Sequence, residues 1–522
     1  MTEKKSESTK INALFSQNRR IPEKEIPEIV SELSKIFPTD RISCELADKI
    51  AYSKDYWLIG NLFNLKGQVP AYPDIIVWPK TEEEVSQLLK YASQHNPPLP
   101  IIPYGEGSGV VGGAIPIFGG IMVDMKYFDH IKINPVNMTA QIGAGVNGKN
   151  LERYLNKRGY RMGHIPQSLY TSTVGGYFSH RAAGQFSGKY GKFEDIVKSF
   201  HFVLPSGEIL KTKFYPRAAV GPMIDKMFIG SEGTLGIVTE VTCRIWPYPE
   251  KQVGLSFLFD DLNQCLDAIR KTLQGQINPA VIRIYDKLET KRHFGKTEKR
   301  SKNKLMVIFV CEGPTEVVEL EEQVVRRNCL YYQGVECGDK PVQHWFETRF
   351  VVKESSEFSP YGLVLDTIEV AIPWERANEL YNTVVERVMK LPGVIMVSGH
   401  ASHFYTTGVC FYFTFTAVPE ENQSPLDLYN LCWDTTVATT LECGGAISHH
   451  HGIGINRTRW MKLEHKGEFK ILQQIKKLLD PMNIMNPGKL YIDLDNGNIA
   501  EKTPLNEEKE IGFYLKQKMG EN

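Results

Sequence analysis

The chain has 522 residues, 42% hydrophobic and 23% charged, enough for a large core and a length that implies about two to four domains. Lys plus Arg and Asp plus Glu each number 61, so no global basic field exists to attract nucleic acid. No apolar run approaches the ~20 residues of a membrane-spanning helix. The polar start MTEKKSESTKINALF reads as no signal peptide, and the final KMGEN as no targeting address. Nine scattered cysteines without a CxxC pair support neither a disulfide framework nor a zinc ribbon, so a reducing, cytoplasmic compartment is expected.

Residues 1–66 read as a charged helical segment punctuated by Pro22 and Pro27. From Pro73 the texture changes to short apolar runs broken by glycine, a unit that extends over 67–249. Thr81 with Glu84 predicts a capping box, and Val85, Leu88, Leu89 and Ala92 then recur at helical spacing. The run LPIIPY leads into the loop GEGSGVVGG. GIMVDM and MTAQIGAGV follow, then a short helix from about Asn150 to Arg158 stopped by Gly159. GIVTEVTCRIW is the expected last strand of the unit.

Over 250–455 the pattern becomes longer. LNQCLDAIRKTL and TEVVELEEQVVRR read as amphipathic helices, KLMVIFVC, GVIMVSG and GVCFYFTFTAV as strands, and Trp374 to Leu391 as a helix. The expectation is an α+β chain whose second half is an α/β cap with a mostly antiparallel sheet. Residues 456–491 close with the Pro/Gly-rich strap LLDPMNIMNPGKLYI, and 492–522 form a polar tail.

Gly107, Gly109 and Gly112 spell GxGxxG directly after a predicted strand. A Rossmann site needs a helix to open at the third glycine, and the apolar AIPIFGGIMVDM stands there instead, so that reading fails. Backbone amides exposed by successive small residues can still cradle phosphate. Three further segments share this character: Gln167 to Gly176, His180 to Gly184, and Gly230 to Gly236. Any one reads equally well as a tight turn, but four within about 130 residues favour wrapping a long phosphate-bearing ligand.

PDIIVWPKTEEEV, PYGEGSG, SLYTSTVGG, GSEGTLG and DPMNIMNPGKL occur in order, and over roughly residues 68–490 the chain resembles the PCMH-type FAD-binding flavoproteins of the vanillyl-alcohol-oxidase class. The resemblance implies a two-subdomain FAD-binding domain followed by the cap. It also implies FAD, held without a covalent bond because residues 103–109 contain neither histidine nor cysteine. Its pyrophosphate would lie on Pro103, Tyr104, Gly105, Glu106, Gly107, Ser108 and Gly109. The remaining contacts implied are Gln167, Ser168, Thr171, Ser172, Thr173, Gly176, His180, Arg181, Ala182 and Ala183, then Glu232, Gly233, Thr234, Gly236, Ile237 and Val238, and Asn486 in the strap.

Gly444 to Gly454 carries His449, His450 and His451 in a row. In an extended segment His449 and His451 would share a face and His450 would oppose them. A metal reading exists because histidine is a common ligand, but without a sharp bend three consecutive histidines cannot converge, and none is assigned; a merely structural cluster is the bland alternative. The FAD-dependent 2-hydroxyacid dehydrogenases resemble this segment with Glu-His-Gly and an upstream Asp-containing motif, where this chain has His450 and GHASHFYTTG. His-His-His-Gly-x-Gly is instead similar to the alkylglycerone-phosphate synthases. In the strand around Tyr412, alternation places Phe411, Phe413 and Phe415 on one face and Cys410, Tyr412 and Thr414 on the other.

The synthase resemblance implies catalytic roles for Tyr412 and the three histidines, and substrate contacts at His164, Arg283 and Lys353. Lys353 stands where those synthases carry an arginine, which keeps the charge but loses the bidentate fork. The implied reaction exchanges the acyl group of acyl-dihydroxyacetone phosphate for a long-chain alcohol through a flavin N5 adduct. The alternative is an FAD-linked oxidoreductase acting on a 2-hydroxy acid or alcohol. A homodimer and peripheral membrane contact are expectations of the family alone, and the partner expected of the site is a small molecule or lipid.

Overall fold

The computed structural model describes residues 21–490 except 66, 70 and 352–361. Lys353, the residues before 21 and the tail 492–522 therefore lie outside the described residues. The helix Glu82–Gln94 starts where Thr81 Oγ1 accepts from Glu84 N (3.2 Å). Only this half of the capping box forms: the Glu84 carboxylate pairs with Arg41 (2.5 Å) and accepts from Lys80 N (2.7 Å) instead of reaching back to Thr81. The helix buries Val85, Leu88, Leu89 and Ala92 and connects Ile75–Val77 to Ile101–Tyr104. Ile121–Asp124 lies between these two strands and is parallel to both; Ile42–Ser43 adds an antiparallel edge.

A second, antiparallel sheet has the order Ile131–Asn134, Thr139–Gly143, Ile237–Arg244, Val197–Val203, Ile209–Lys211. The expected strand through GIVTEVTCRIW breaks after Arg244, and Trp246–Pro247 turns away to pair with Tyr160–Arg161. The short helix predicted near Asn150 runs Gly148–Asn156. Asn147 caps it by accepting from Lys149 N and Asn150 N, a start two residues earlier than apolar spacing alone suggested. After Gly112 no helix opens, in keeping with the failed Rossmann pattern.

The cap is one antiparallel sheet of seven strands in the order Val335–Glu336, Lys251–Phe259, Leu305–Gly313, Val281–Tyr285, Val394–Phe404, Gly408–Ala417, Val364–Pro373. Strand alternation divides its faces. Ile282, Ile284, Val397, Ala401, Val409, Phe411, Phe413 and Phe415 pack in one apolar core with residues of the helices Leu262–Gln274, Thr315–Tyr331, Trp374–Met389 and Pro425–Glu442. Arg283, His400 and Tyr412 belong to the opposite face. The first face is thus buried under helices; on the opposite face Leu258, Val281, Tyr285, Met306, Ile308 and Val310 form a second apolar core with Ile165, Phe186 and Trp345, and Arg283, His400 and Tyr412 stand on that same face. Among the described residues, no helix is long and apolar enough to cross a membrane.

Candidate active site

The glycine loops converge, and contacts between them show why side chains are excluded. A Cβ on Gly105 would strike Thr173 Oγ1, and one on Gly107, whose φ is +63°, would strike the Tyr104 hydroxyl. A Cβ on Gly113 would lie 3.0 Å from His180 Nε2, and one on Gly233 3.0 Å from Pro103. Thr173 caps the helix Val174–His180 through Oγ1 (3.3 Å from Gly176 N), while Ser172 Oγ bonds Ser168 O and Tyr177 OH. Glu106 accepts from Asn147 Nδ2 (2.9 Å). Asn486 Nδ2 donates to Gly113 O (3.0 Å) and Glu232 O (2.8 Å), so it ties the strap to two glycine loops. Thr234 O accepts from Lys476 Nζ (2.7 Å), Arg181 pairs with Glu194 (3.1 Å), and Gly236 leads into Ile237 and Val238. Ala182 is held by Tyr177 O and Phe193 N, beside buried Ala183. Asp55 Oδ2, His180 Nε2 and Ser231 Oγ are buried without a protein partner. Small-residue backbone together with orphaned polar atoms fits a polar, phosphate-bearing cofactor.

The histidine segment is not extended. Apart from a single bridge between Ala371 and Ala446 it has no ladder partner, and two buried carboxylates take its N–H groups instead. Glu369 accepts from His449 N (2.6 Å) and His451 N (2.9 Å), and Glu232 from Ile453 N (2.7 Å) and Gly454 N (2.8 Å). The resulting bend overturns the expected alternation: His449 Nδ1 and His450 Nδ1 lie 3.0 Å apart. Glu369 also accepts from Ser448 Oγ (2.9 Å) and from Arg457 Nη1 (2.7 Å), and both members of that ion pair are completely buried.

Tyr412 sits opposite Glu369 in the strand register. Its hydroxyl lies 2.9 Å from His403 Nε2 and 3.2 Å from His450 Nε2, and its ring stacks on His400 at 4.4 Å and 15°. His403 reaches this face through a bulge. Ser402 pairs with Cys410 and Phe404 with Val409, leaving His403 unpaired at φ +55°. The extra residue turns its ring toward the site rather than the core. Its Nδ1 meets Ser187 Oγ at 2.7 Å. His449 Nε2 meets Tyr405 OH at 2.8 Å, and Lys192 Nζ donates to His449 O (2.5 Å).

Burial sets the protonation of this group. It lowers His449 to about 3, with Lys192 adding, and His451 to about 4 against the pull of Glu369. His403 and His450 fall well below the ordinary histidine value for the same reason. Burial pushes the Tyr412 phenol well above 10, aided by Cys410 and opposed by Arg283. Burial would also raise Glu369, but Arg457 and the neighbouring histidines hold it at about 2. At neutral pH the site is a protonated phenol among neutral imidazoles, backed by a buried carboxylate. His403, His449 and His450, and likewise Glu369, His450 and His451, bring ligand atoms within 4.8 Å of one another.

Arg283 lies on the site face with Nε buried and unpartnered. Arg349, which sequence reasoning passed over in favour of Lys353, is the second such cation. It ends the helix Lys340–Thr348, its carbonyl accepts from Gln167 Nε2, and its Nη1 donates to Gln185 Oε1 (3.2 Å). Trp345, Phe346, Phe350 and Phe186 surround its guanidinium at 4.7–5.5 Å, and burial with Arg161 lowers it to about 10. Among the described residues it has no carboxylate partner. His164 is placed differently from these, enclosed by Tyr177 (4.4 Å) and Phe193 (5.1 Å) with neither ring nitrogen bonded, and burial lowers it to about 3.

Residues 73–213 match the FAD binding domain family, and residues 248–490 the C-terminal domain family of FAD linked oxidases. The chain belongs to the PCMH-type FAD-binding flavoproteins; it is an FAD-dependent enzyme and FAD is its cofactor. Within that family it is similar to an alkyldihydroxyacetonephosphate synthase of Caenorhabditis elegans, 32% identical over 470 residues that span 83% of this chain and 78% of the relative. It is also similar to an FAD-linked oxidoreductase of Escherichia coli, YgcU, 30% identical over 80% of this chain and 89% of that protein. A solved alkyldihydroxyacetonephosphate synthase structure superposes with a TM-score of 0.74 at 27% identity, covering 88% of this chain and 84% of the other.

Glu369→Ala strands Arg457 and two backbone N–H groups, so it should cost about 3–5 kcal/mol in denaturant unfolding of the FAD-loaded protein. A loss below about 1 kcal/mol would mean that the carboxylate does not hold the loop. The histidines set a pH window. Unfolded, each binds a proton below about pH 6.5; folded, His451 and His449 do so only near 4 and 3. Below pH 6.5 the unfolded chain binds more protons, so the stability present above that pH is lost progressively as pH falls toward 4. Thermal unfolding should show a Tm that declines from pH 6.5 to 4.5, and less steeply in His451→Gln.

Proposed function

We propose that the chain exchanges the acyl group of acyl-dihydroxyacetone phosphate for a long-chain alcohol, releasing a fatty acid and forming an ether without net redox change. The observation that carries this reading is the Tyr412 hydroxyl held between two neutral imidazoles, His403 and His450. Bound FAD supplies an electron-accepting ring at this site. The phenol is too weakly acidic to stand as a phenolate, so it works as a relay: Tyr412 takes the proton lost from substrate carbon while passing its own to an imidazole. That pair also returns or accepts the proton when the alcohol replaces the fatty acid. Arg283 and Arg349 offer guanidinium groups to the phosphate and to the departing carboxylate, a geometry that lysine cannot match. The aromatic rings around Arg349 exclude water and strengthen such a contact.

Similarity to a glycolate oxidase subunit of Bacillus subtilis and to a D-lactate dehydrogenase of Arabidopsis thaliana supports a second reading, removal of a hydride from a 2-hydroxy acid or alcohol. FAD-loaded protein incubated with acyl-dihydroxyacetone phosphate and hexadecanol should release fatty acid and form the ether, both detected by mass spectrometry. Tyr412→Phe should lower kcat at least about 100-fold with FAD content unchanged. Arg349→Ala should lower kcat/KM about 10- to 100-fold, the loss of one charged hydrogen bond. Full turnover by Tyr412→Phe would overturn the assignment.

A further inference from the structure

The Tyr412 hydroxyl touches two imidazoles, and each of these leads onward through its other ring nitrogen. On one side His403 Nδ1 meets Ser187 Oγ (2.7 Å). Ser187 makes a side-chain hydrogen bond to Tyr405, and Tyr405 OH meets His449 Nε2 (2.8 Å). On the other side His450 Nδ1 meets His449 Nδ1 (3.0 Å). The two paths end on the same residue, so Tyr412, His403, Ser187, Tyr405, His449 and His450 form a closed ring. Its members come from separate parts of the chain. Ser187 opens the short helix Ser187–Tyr190 of the FAD-binding part, while His403, Tyr405 and Tyr412 belong to the hairpin 394–417 of the cap sheet. Gly188 lets that helix press on the cap, since a Cβ there would lie 3.2 Å from Pro279 O.

The proton count gives the ring its property. Each hydroxyl holds one O–H and each neutral imidazole one N–H, so the six groups bring six protons to six contacts. Burial keeps the three imidazoles neutral and both phenols protonated. His449 and His450 face each other Nδ1 to Nδ1, so one of these nitrogens carries a proton and the other is bare. That choice fixes the rest. When His449 donates, His450 Nε2 donates to Tyr412, Tyr412 to His403, His403 Nδ1 to Ser187, Ser187 to Tyr405 and Tyr405 to His449 Nε2. When His450 donates, every bond runs the other way. In both directions the chain of acceptors that starts at Tyr412 ends on His449.

We propose that Ser187 and Tyr405 are positioning residues that close a proton circuit around Tyr412, through which a proton taken by the phenol is carried to His449 and returned. The circuit rests on the reading of Tyr412 as the group that takes the substrate proton. The C–H bond breaks, its electron pair stays on carbon and its proton joins the Tyr412 oxygen. Tyr412 gives its own proton to His403 Nε2, His403 Nδ1–H passes to Ser187, the serine proton to Tyr405 and the Tyr405 proton to His449 Nε2. His449 is left as the imidazolium, where Glu369 favours the charge against Lys192. Each hydroxyl takes one proton as it gives another and is never ionised.

The ring is tested without substrate by 15N NMR of the FAD-loaded full chain labelled at histidine. His403 and His449 should show the same degree of protonation at Nδ1, and His450 the complementary one. An imidazolium among the three at neutral pH, or His403 and His449 in opposite tautomers, would overturn the proposal. In turnover, Ser187→Ala and Tyr405→Phe should each lower kcat at least about tenfold at unchanged FAD content. Both cut the same arc, so the double variant should be no slower than the slower single one, and Ser187→Thr, which keeps the hydroxyl, should recover the rate. Losses that multiply, as independent structural defects do, or full turnover by either single variant, would also overturn it. The expected tautomers in a protein that releases no fatty acid would leave the ring standing and remove the synthase reading.

Discussion

An irregular segment cannot be buried unless its backbone N–H groups find partners, and the histidine loop meets this demand with two carboxylates. Glu369 comes from a strand of the cap sheet and Glu232 from a glycine loop of the FAD-binding part. Each accepts from two backbone N–H groups of the loop, so its shape depends on the register between the two halves of the chain. Burying Glu369 as an anion is costly by itself. Arg457, Ser448 and the two amides offset that cost, and because Glu369 faces Tyr412 across the ladder, the residue that bends the loop also stands beside the phenol.

The charge pattern follows from this arrangement. The carboxylates near the histidines are occupied by N–H groups and by Arg457, leaving the imidazoles in surroundings that favour their neutral form. Arg283 and Arg349 meanwhile keep Nε atoms without protein partners. A site that combines neutral proton acceptors, the Tyr412 phenol and two arginines without a carboxylate partner among the described residues is suited to an anionic ligand that gives up a proton from carbon.

The sequence was informative where physics is local. Alternation in the strand Gly408–Ala417 correctly separated the phenylalanines from Cys410 and Tyr412, because one ladder holds the whole strand. The glycine loops were legible because the GxGxxG spacing of Gly107, Gly109 and Gly112 is followed by an apolar run where a Rossmann site requires a helix. What was hidden depended on contacts distant in sequence. His403 reads as a core-facing residue until the bulge at φ +55° turns it. Glu369 looked like any strand carboxylate, although a charged residue in the otherwise apolar VAIPW approach was a signal. Arg349 lay in an aromatic run, HWFETRF, that could have pointed to an enclosed cation. Glu84 likewise left its predicted partner for Arg41, which approaches from a separate element.

The most direct test of the account is an anaerobic absorbance experiment on FAD-loaded protein, mixed separately with acyl-dihydroxyacetone phosphate plus a long-chain alcohol and with D-lactate. The account expects fatty-acid release in the first mixture, flavin absorbance that returns fully to its oxidised form, and no lasting change in the second. Lasting bleaching by D-lactate, with no acid released from the acyl substrate, would contradict it and make the histidine loop part of a dehydrogenase.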